Sequence, residues 1–302
     1  MKTYLLGCLA ATLLTAPAFA QRTDAKLQAK LQQLLREFHG QAGIYVHHLQ
    51  RDKVVEINAD TIFPTASMIK TTIQVGIFDK IAKGELQYRQ PLTYRDSLLY
   101  PGVDILGSFK DSQQIDLDKV MMLMLTMSDN TASLWLQSLA GGGATINSWL
   151  ERNGFKVLRV NSRTPGREEI RKIYGWGQTS PREMARLMEM VYKGEVIDQA
   201  SSERMYRNLT RNYWDTQGLL QVPANIRTAS KNGAVDDARS EVIMVNGPHG
   251  DYVYCIATKN IADQSWKPEN EAWQLMRKVG YAIWQHYEPK SKKRPDPAVG
   301  KF

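Results

Sequence analysis

Strand-like patterns gather at the two ends of this chain and leave a long helical middle, and this division limits the folds open to it. Near the start, residues 43–49 and 54–58 read as short strands behind an amphipathic helix marked by Leu27, Leu31, Leu34 and Phe38. Near the end, 241–245 and 252–256 flank the turn-rich Asn246-Gly247-Pro248-His249-Gly250-Asp251, a hairpin pattern. A helix then follows over about 269–287, with Trp273, Met276, Val279, Ile283 and Trp284 along one side. Between the two ends, from Ser67 to about Glu195, apolar residues recur at helical spacing almost throughout. The expected fold class is therefore α+β. Residues 21–66 and 200–288 would build one discontinuous domain, an antiparallel sheet flanked by helices, and residues 67–199 an all-α domain. A cleft between them is the natural place for a site.

Three short motifs fall at that junction. Ser67 and Lys70 stand at i and i+3 in Phe63-Pro64-Thr65-Ala66-Ser67-Met68-Ile69-Lys70 and so share one helix face. A serine hydroxyl needs a nearby base to act as a nucleophile. Lysine supplies one only if burial or a neighbouring cation lowers its pKa. Pro64 and Thr65 read as a helix start and Gly84 as a stop, with Ile69, Ile73, Ile77 and Ile81 as the buried stripe. The bland alternative is an ordinary helix with a surface Ser and Lys.

The second motif, Ser128-Asp129-Asn130, follows the apolar run Val120–Leu125. Ser128 can relay a proton to a leaving nitrogen, and Asn130 can orient Lys70 or a substrate amide; equally, these residue types cap helices. The third, Lys231-Asn232-Gly233-Ala234, precedes the hairpin. Lys231 can hold a substrate carboxylate, Gly233 permits close backbone approach, and the N–H groups of Ala234 and Ser67 can form an oxyanion hole. Alone, this segment is equally a plain loop before a strand. Each motif is weak by itself; the three in this order are strong together.

In these motifs the chain resembles the class A β-lactamase superfamily over about Leu27 to Tyr287, in particular its penicillin-recognising serine hydrolase branch. Thr179-Ser180-Pro181-Arg182-Glu183-Met184-Ala185 is similar to the helix start that follows the family's omega loop. The resemblance implies a β-lactamase/transpeptidase-like fold and an acyl-enzyme on Ser67. Ser67, Lys70 and Ser128 would be catalytic; Asn130, Lys231, Asn232, Gly233 and Ala234 would bind substrate, with Tyr100 on one cleft wall and Tyr174 and Trp176 on another. There are two departures. Asn232 stands where the family usually has Thr or Ser. The early omega-loop Glu that activates the deacylating water is missing from Arg163-Thr164-Pro165-Gly166-Arg167-Glu168-Glu169. Either Glu168 or Glu169 replaces it through a remodelled loop, or both are solvated charges at a helix start, where the dipole favours Glu.

Residues 1–20 read as a cleavable signal peptide: Lys2, an apolar run over 5–14 and Ala18-Phe19-Ala20. Cys8 resembles a lipoprotein cysteine but lies within the apolar run. The expected location is the periplasm or outside the cell. Without Cys8, only Cys255 remains, which excludes an intramolecular disulfide. Adjacent His47 and His48 face opposite sides of a strand, which makes them a poor metal pair, and no cofactor or metal is expected. The formal charge of +8 owes much to the C-terminal lysines and Arg294, and 289–302 reads as a solvated basic tail. No nucleic-acid motif, repeat or later membrane span is present, and a monomer is expected. The substrate would be a small β-lactam; a D,D-peptidase on peptidoglycan peptides, or a penicillin-binding module without turnover, are the alternatives.

Overall fold

A computed structural model describes residues 21–295. The expected signal peptide and the end of the basic tail lie outside the described residues. Strand β1 (Arg22–Thr23) leads into helix α1 (Ala25–Leu35), then β2 (Gln41–His48) and β3 (Lys53–Ile57). Next come β4 (Phe63–Pro64), a 3₁₀ turn (Ala66–Ile69) and α2 (Lys70–Ala82). The helical middle continues through β5 (Pro91–Thr93), β6 (Gln114–Asp116), α3 (Leu117–Met122), a π-helical turn (Leu123–Met127), α4 (Asn130–Leu139) and α5 (Gly142–Arg152). It ends with β7 (Arg159–Val160), α6 (Glu168–Tyr174), β8 (Gly177–Thr179), α7 (Pro181–Lys193) and α8 (Gln199–Leu209). The chain closes with β9 (Thr228–Val235), β10 (Ala238–Val245), β11 (Tyr252–Lys259) and α9 (Glu271–Tyr287).

Both chain ends meet in one six-stranded sheet of order β1-β3-β2-β11-β10-β9. All neighbours are antiparallel except β1 with β3. Strand period two assigns alternate residues to two cores. Ile44, Val46, Ile243, Val245, Tyr254 and Ile256 pack with Leu27 and Leu31 of α1 and Leu275, Val279 and Ile283 of α9. Tyr45, Val242, Met244, Val253 and Cys255 face the other way, onto Met184 and Met188 of α7 and the helical middle. His47 and His48 follow the same rule: His47 meets Glu189 of α7, and His48 packs edge-on to Tyr287 of α9.

The isoleucine stripe of α2 is only part of its buried surface. Every residue from Lys70 to Phe78 is buried, including Thr71, Thr72 and Gln74. Helices α4, α5 and α8 surround it. Thr71 and Thr72 are tolerated because they turn their hydroxyls back onto the carbonyls of Met68 and Ile69, and Gln74 Oε1 accepts from Asn208 Nδ2. No helix among the described residues is long and apolar enough to cross a membrane. At the start of the expected tail, Ser291 accepts a hydrogen bond from Trp284 Nε1 at 2.9 Å, and the carbonyl of Lys293 accepts one from Gln285.

Asp129 ties the second motif to the fold. It caps α4 by accepting from Ala132 N at 2.7 Å, and its other oxygen accepts from Ile105 N (2.6 Å) and Leu106 N (3.0 Å). Its side chain is fully buried. In Asp129→Asn an amide N–H₂ would face the Ile105 and Leu106 donors, at a cost of about 3 kcal/mol. Urea unfolding of the variant should show that loss with an unchanged m-value.

Candidate active site

The three motifs come together between α2, α4 and β9. Ala66, with φ +43°, begins the 3₁₀ turn that runs into α2, and Ser67 is the second residue of that turn. Lys70 is fully buried, with its Nζ 3.0 Å from Ser67 Oγ. The same nitrogen donates to the Ser128 carbonyl at 2.5 Å and to Asn130 Oδ1 at 2.9 Å, and lies 3.1 Å from Ser128 Oγ. Ser128 can offer both its carbonyl and its hydroxyl because its backbone is left-handed, with φ +62°, just after the π-helical turn. Such conformations are costly and collect at functional sites.

On the far side of Ser128, Lys231 Nζ donates to the same hydroxyl at 3.2 Å. Ser128 Oγ thus bridges two buried amines. Burial and the neighbouring Lys231 charge hold the Lys70 ammonium well below the usual lysine range, outweighing the opposing pull of Asp129. A neutral Lys70 has a lone pair for the Ser67 proton and two N–H bonds for Ser128 O and Asn130 Oδ1. Burial brings Lys231 down to about 7, opposed by Glu241 on the adjacent strand. Glu241 is itself buried and pushed up to about 7, and accepts from Gly218 N at 2.8 Å.

Strand β9 is the sheet edge, so its outer side is free to face the cleft. Gly233 is required there: a Cβ would stand 2.3 Å from Thr65 O and 2.8 Å from Ser67 N. Asn232 accepts from Lys231 Nζ through its own carbonyl (2.9 Å) and Oδ1 (3.3 Å). Its side chain therefore partners the lysine and leaves Nδ2 as the group able to donate.

The open space has two lobes that share Ser67, Asn130 and Ala234. One, of about 420 Å³, is walled by Tyr100, Tyr174 and Trp176. Tyr100 and Trp176 meet edge to face at 5.3 Å, and Lys70 Nζ lies 5.8 Å from the Trp176 ring centre. The other lobe, of about 770 Å³, includes Ser128, Val103 and Asn232.

Glu168 and Glu169 are not brought to this cleft. Both are exposed in the first turn of α6; Glu168 accepts from Gly166 N, and Glu169 pairs with Lys172 at 2.6 Å. Of the two open readings, this is the solvated one. The α6 dipole and Lys172 keep these charges in water, and Arg167 turns inward instead. Its guanidinium donates to Asn161 Oδ1 (2.7 Å) and Gln178 Oε1 (2.9 Å). No glutamate lines either lobe among the described residues.

Ser67 beside the buried Lys70, Ser128 bridging to Lys231, and the edge-strand Gly233 against Ser67 thus share one cleft. Residues 26–287 match the model of the Beta-lactamase enzyme family, and the chain belongs to that family. It is 21% identical to beta-lactamase VEB-1 of Pseudomonas aeruginosa over 88% of this chain and 91% of that one. It is 25% identical to a beta-lactamase of Streptomyces fradiae over 87% and 81% of the two chains. Among solved structures it resembles PBP-A, an L158E mutant in an acyl-enzyme complex with penicillin G, with TM-score 0.79 and 28% identity over 89% of this chain and 98% of that one. A beta-lactamase from Sphaerobacter thermophilus shares the fold, with TM-score 0.76 and 20% identity over 87% and 97% of the chains.

Sequence reasoning passed over Glu241, Arg167 and Trp214. Glu241 sits two strand positions past Arg239 in an otherwise apolar run, and a charge there was the available signal. In a ¹⁵Nζ NMR titration Lys231 should lose its proton near pH 7. In Glu241→Gln the anion that favours its charge is gone, so the midpoint should fall to lower pH.

Proposed function

We propose that this protein is a secreted serine hydrolase that is acylated at Ser67 by β-lactams. The observation that carries the reading is the buried Lys70 Nζ at 3.0 Å from Ser67 Oγ, coupled through Ser128 to Lys231. Lys70 takes the Ser67 proton as Oγ attacks the ring carbonyl. The N–H groups of Ser67 and Ala234 receive the developing oxyanion. Ser128 passes a proton to the ring nitrogen as the C–N bond breaks, and Lys231 with Asn232 holds the substrate carboxylate. Water then releases the acyl group from Ser67. The signal-like first twenty residues support secretion.

The second reading is a D,D-peptidase on peptidoglycan peptides, in which a β-lactam forms a long-lived ester. The surface position of Glu168 and Glu169 favours it, because nothing of that kind stands ready to activate water. The likeness to PBP-A, seen as a penicillin G acyl-enzyme, points the same way. Either reading begins with the same Ser67 ester.

Intact mass spectrometry with penicillin G separates them. We expect an adduct of the mass of whole penicillin, absent from Ser67→Ala, that accumulates because release lags behind acylation. Fast catalytic consumption without accumulation would mean that another group replaces the missing glutamate; no adduct at all would sink the β-lactam reading. Lys70→Ala should slow acylation about 10²–10⁴-fold.

The pH profile of acylation should be bell-shaped. Lys70 must be neutral, so the rate rises as pH climbs through its lowered pKa. Lys231 must be charged to hold a carboxylate, so the rate falls as pH passes about 7. The two limbs belong to the coupled pair. A rate still rising above pH 8 would contradict the charge role of Lys231.

A further inference from the structure

The larger lobe of the cleft is built from aromatic residues that the acyl-transfer chemistry does not use. Trp214, Trp266 and Trp273 line it, with Arg277 of α9 in its wall. Trp214 is fixed beside the second motif, its Nε1 donating to Met127 O at 2.9 Å. Trp266 and Trp273 meet edge to face at 5.9 Å, and the Arg239 guanidinium packs 4.6 and 4.8 Å from their ring centres. This fixes the two indoles, yet Trp266 is 57% exposed. Core packing does not account for a held but solvent-facing indole.

Arg277 is the second, independent observation. Its side chain is 98% buried, being only 2% exposed. It donates to Thr216 O at 3.3 Å and to Pro268 O, while its Nε has no partner. Among the described residues no carboxylate forms an ion pair with it; Glu269 acts on it only at longer range. Arg277 thus lines the aromatic lobe as a buried guanidinium without an ion-pair partner, offset only by the more distant Glu269 charge, and such a cation suits an anionic ligand group.

The position relative to Ser128 tells which half of a substrate lies here. Ser128 lines this lobe and not the smaller one. A hydroxyl that delivers a proton to the departing atom must touch the departing half. We propose that the larger lobe is a leaving-group subsite for an aromatic arm that ends in an acidic group, the ring against the tryptophans and the anion at Arg277. The proposal rests on the Ser67 acyl-enzyme reading and adds the class of leaving group to it.

Two thioesters of phenylacetylglycine test it, one of 2-mercaptopropionate and one of 2-mercapto-3-(4-carboxyphenyl)propionate. In both, the Ser67 Oγ–carbonyl bond forms, the C–S bond breaks and the thiol leaves with the proton. Both give the same ester on Ser67, so release is common and kcat/KM reports the departing half alone. The carboxyphenyl thioester should be preferred about tenfold by the wild-type protein. Trp273→Leu and Arg277→Gln should each bring that ratio towards one; the wild-type ratio stands as evidence if either variant fails to fold. Equal kcat/KM, with the same Ser67 adduct from both, overturns the subsite and leaves the acyl-enzyme reading intact. No adduct from either thioester also overturns the subsite. If penicillin G then leaves Ser67 free as well, the acyl-enzyme reading falls with it.

Discussion

One hydroxyl held between two buried amines organises this molecule. Ser128 Oγ lies 3.1 Å from Lys70 Nζ and 3.2 Å from Lys231 Nζ. Two ammonium groups this close, out of water, repel each other and cannot both be charged cheaply. The neighbourhood settles which one gives way. Glu241 supports charge on Lys231, while Lys70 is surrounded by the oxygens of Ser67, Ser128 and Asn130, which a neutral amine can also satisfy. The left-handed turn at Ser128, the π-helical turn before it and the Asp129 cap after it all keep that hydroxyl in place.

Some of this was legible in the residues alone. The hairpin 241–256, the final helix and strands β2 and β3 were visible because their periodicities are strong and local; the two-residue β1 was not. Ser67, Lys70, Ser128, Asn130 and Lys231 could be grouped because each motif carries its chemistry in adjacent residues. The burial of α2 on all sides was not legible. Thr71, Thr72 and Gln74 look solvent-facing until α4, α5 and α8 are placed around them. The π-helical turn leaves no mark on Leu123–Met127, because it is imposed by where Ser128 must point. Trp214 is held at the cleft by a contact with Met127, far back in the chain.

The loop before α7 shows a chemical substitution rather than a loss of order. Arg167 is held by two side-chain amides, Asn161 and Gln178, and Asn147 donates to the Val160 carbonyl at 2.9 Å. Carboxylates fix its two ends: Glu183 accepts from the N–H groups of Lys156, Val157 and Leu158, and Glu168 accepts from Gly166 N. A loop fixed in this way can seal the smaller lobe beside Trp176 while offering little to a hydrolytic water. On the acyl-enzyme reading proposed above, the paired lysines would govern acylation and this loop would govern release.

The sheet topology also sets the order in which the molecule can be made. Strand β2 pairs with β11, placing Ile44 opposite Ile256, and β1 and β3 reach the sheet only through β2. The β2–β3 hairpin and β1 can pair among themselves early, but the β2 edge that meets β11 must wait until nearly the whole chain has emerged. Contacts this distant in sequence slow folding. They also mean that Lys231 cannot reach Ser128 in a partly made chain. Ser67, Lys70 and Lys231 come together through Ser128 only in the last stage of folding, so a truncated product would carry Ser67 and Lys70 without their counterpart.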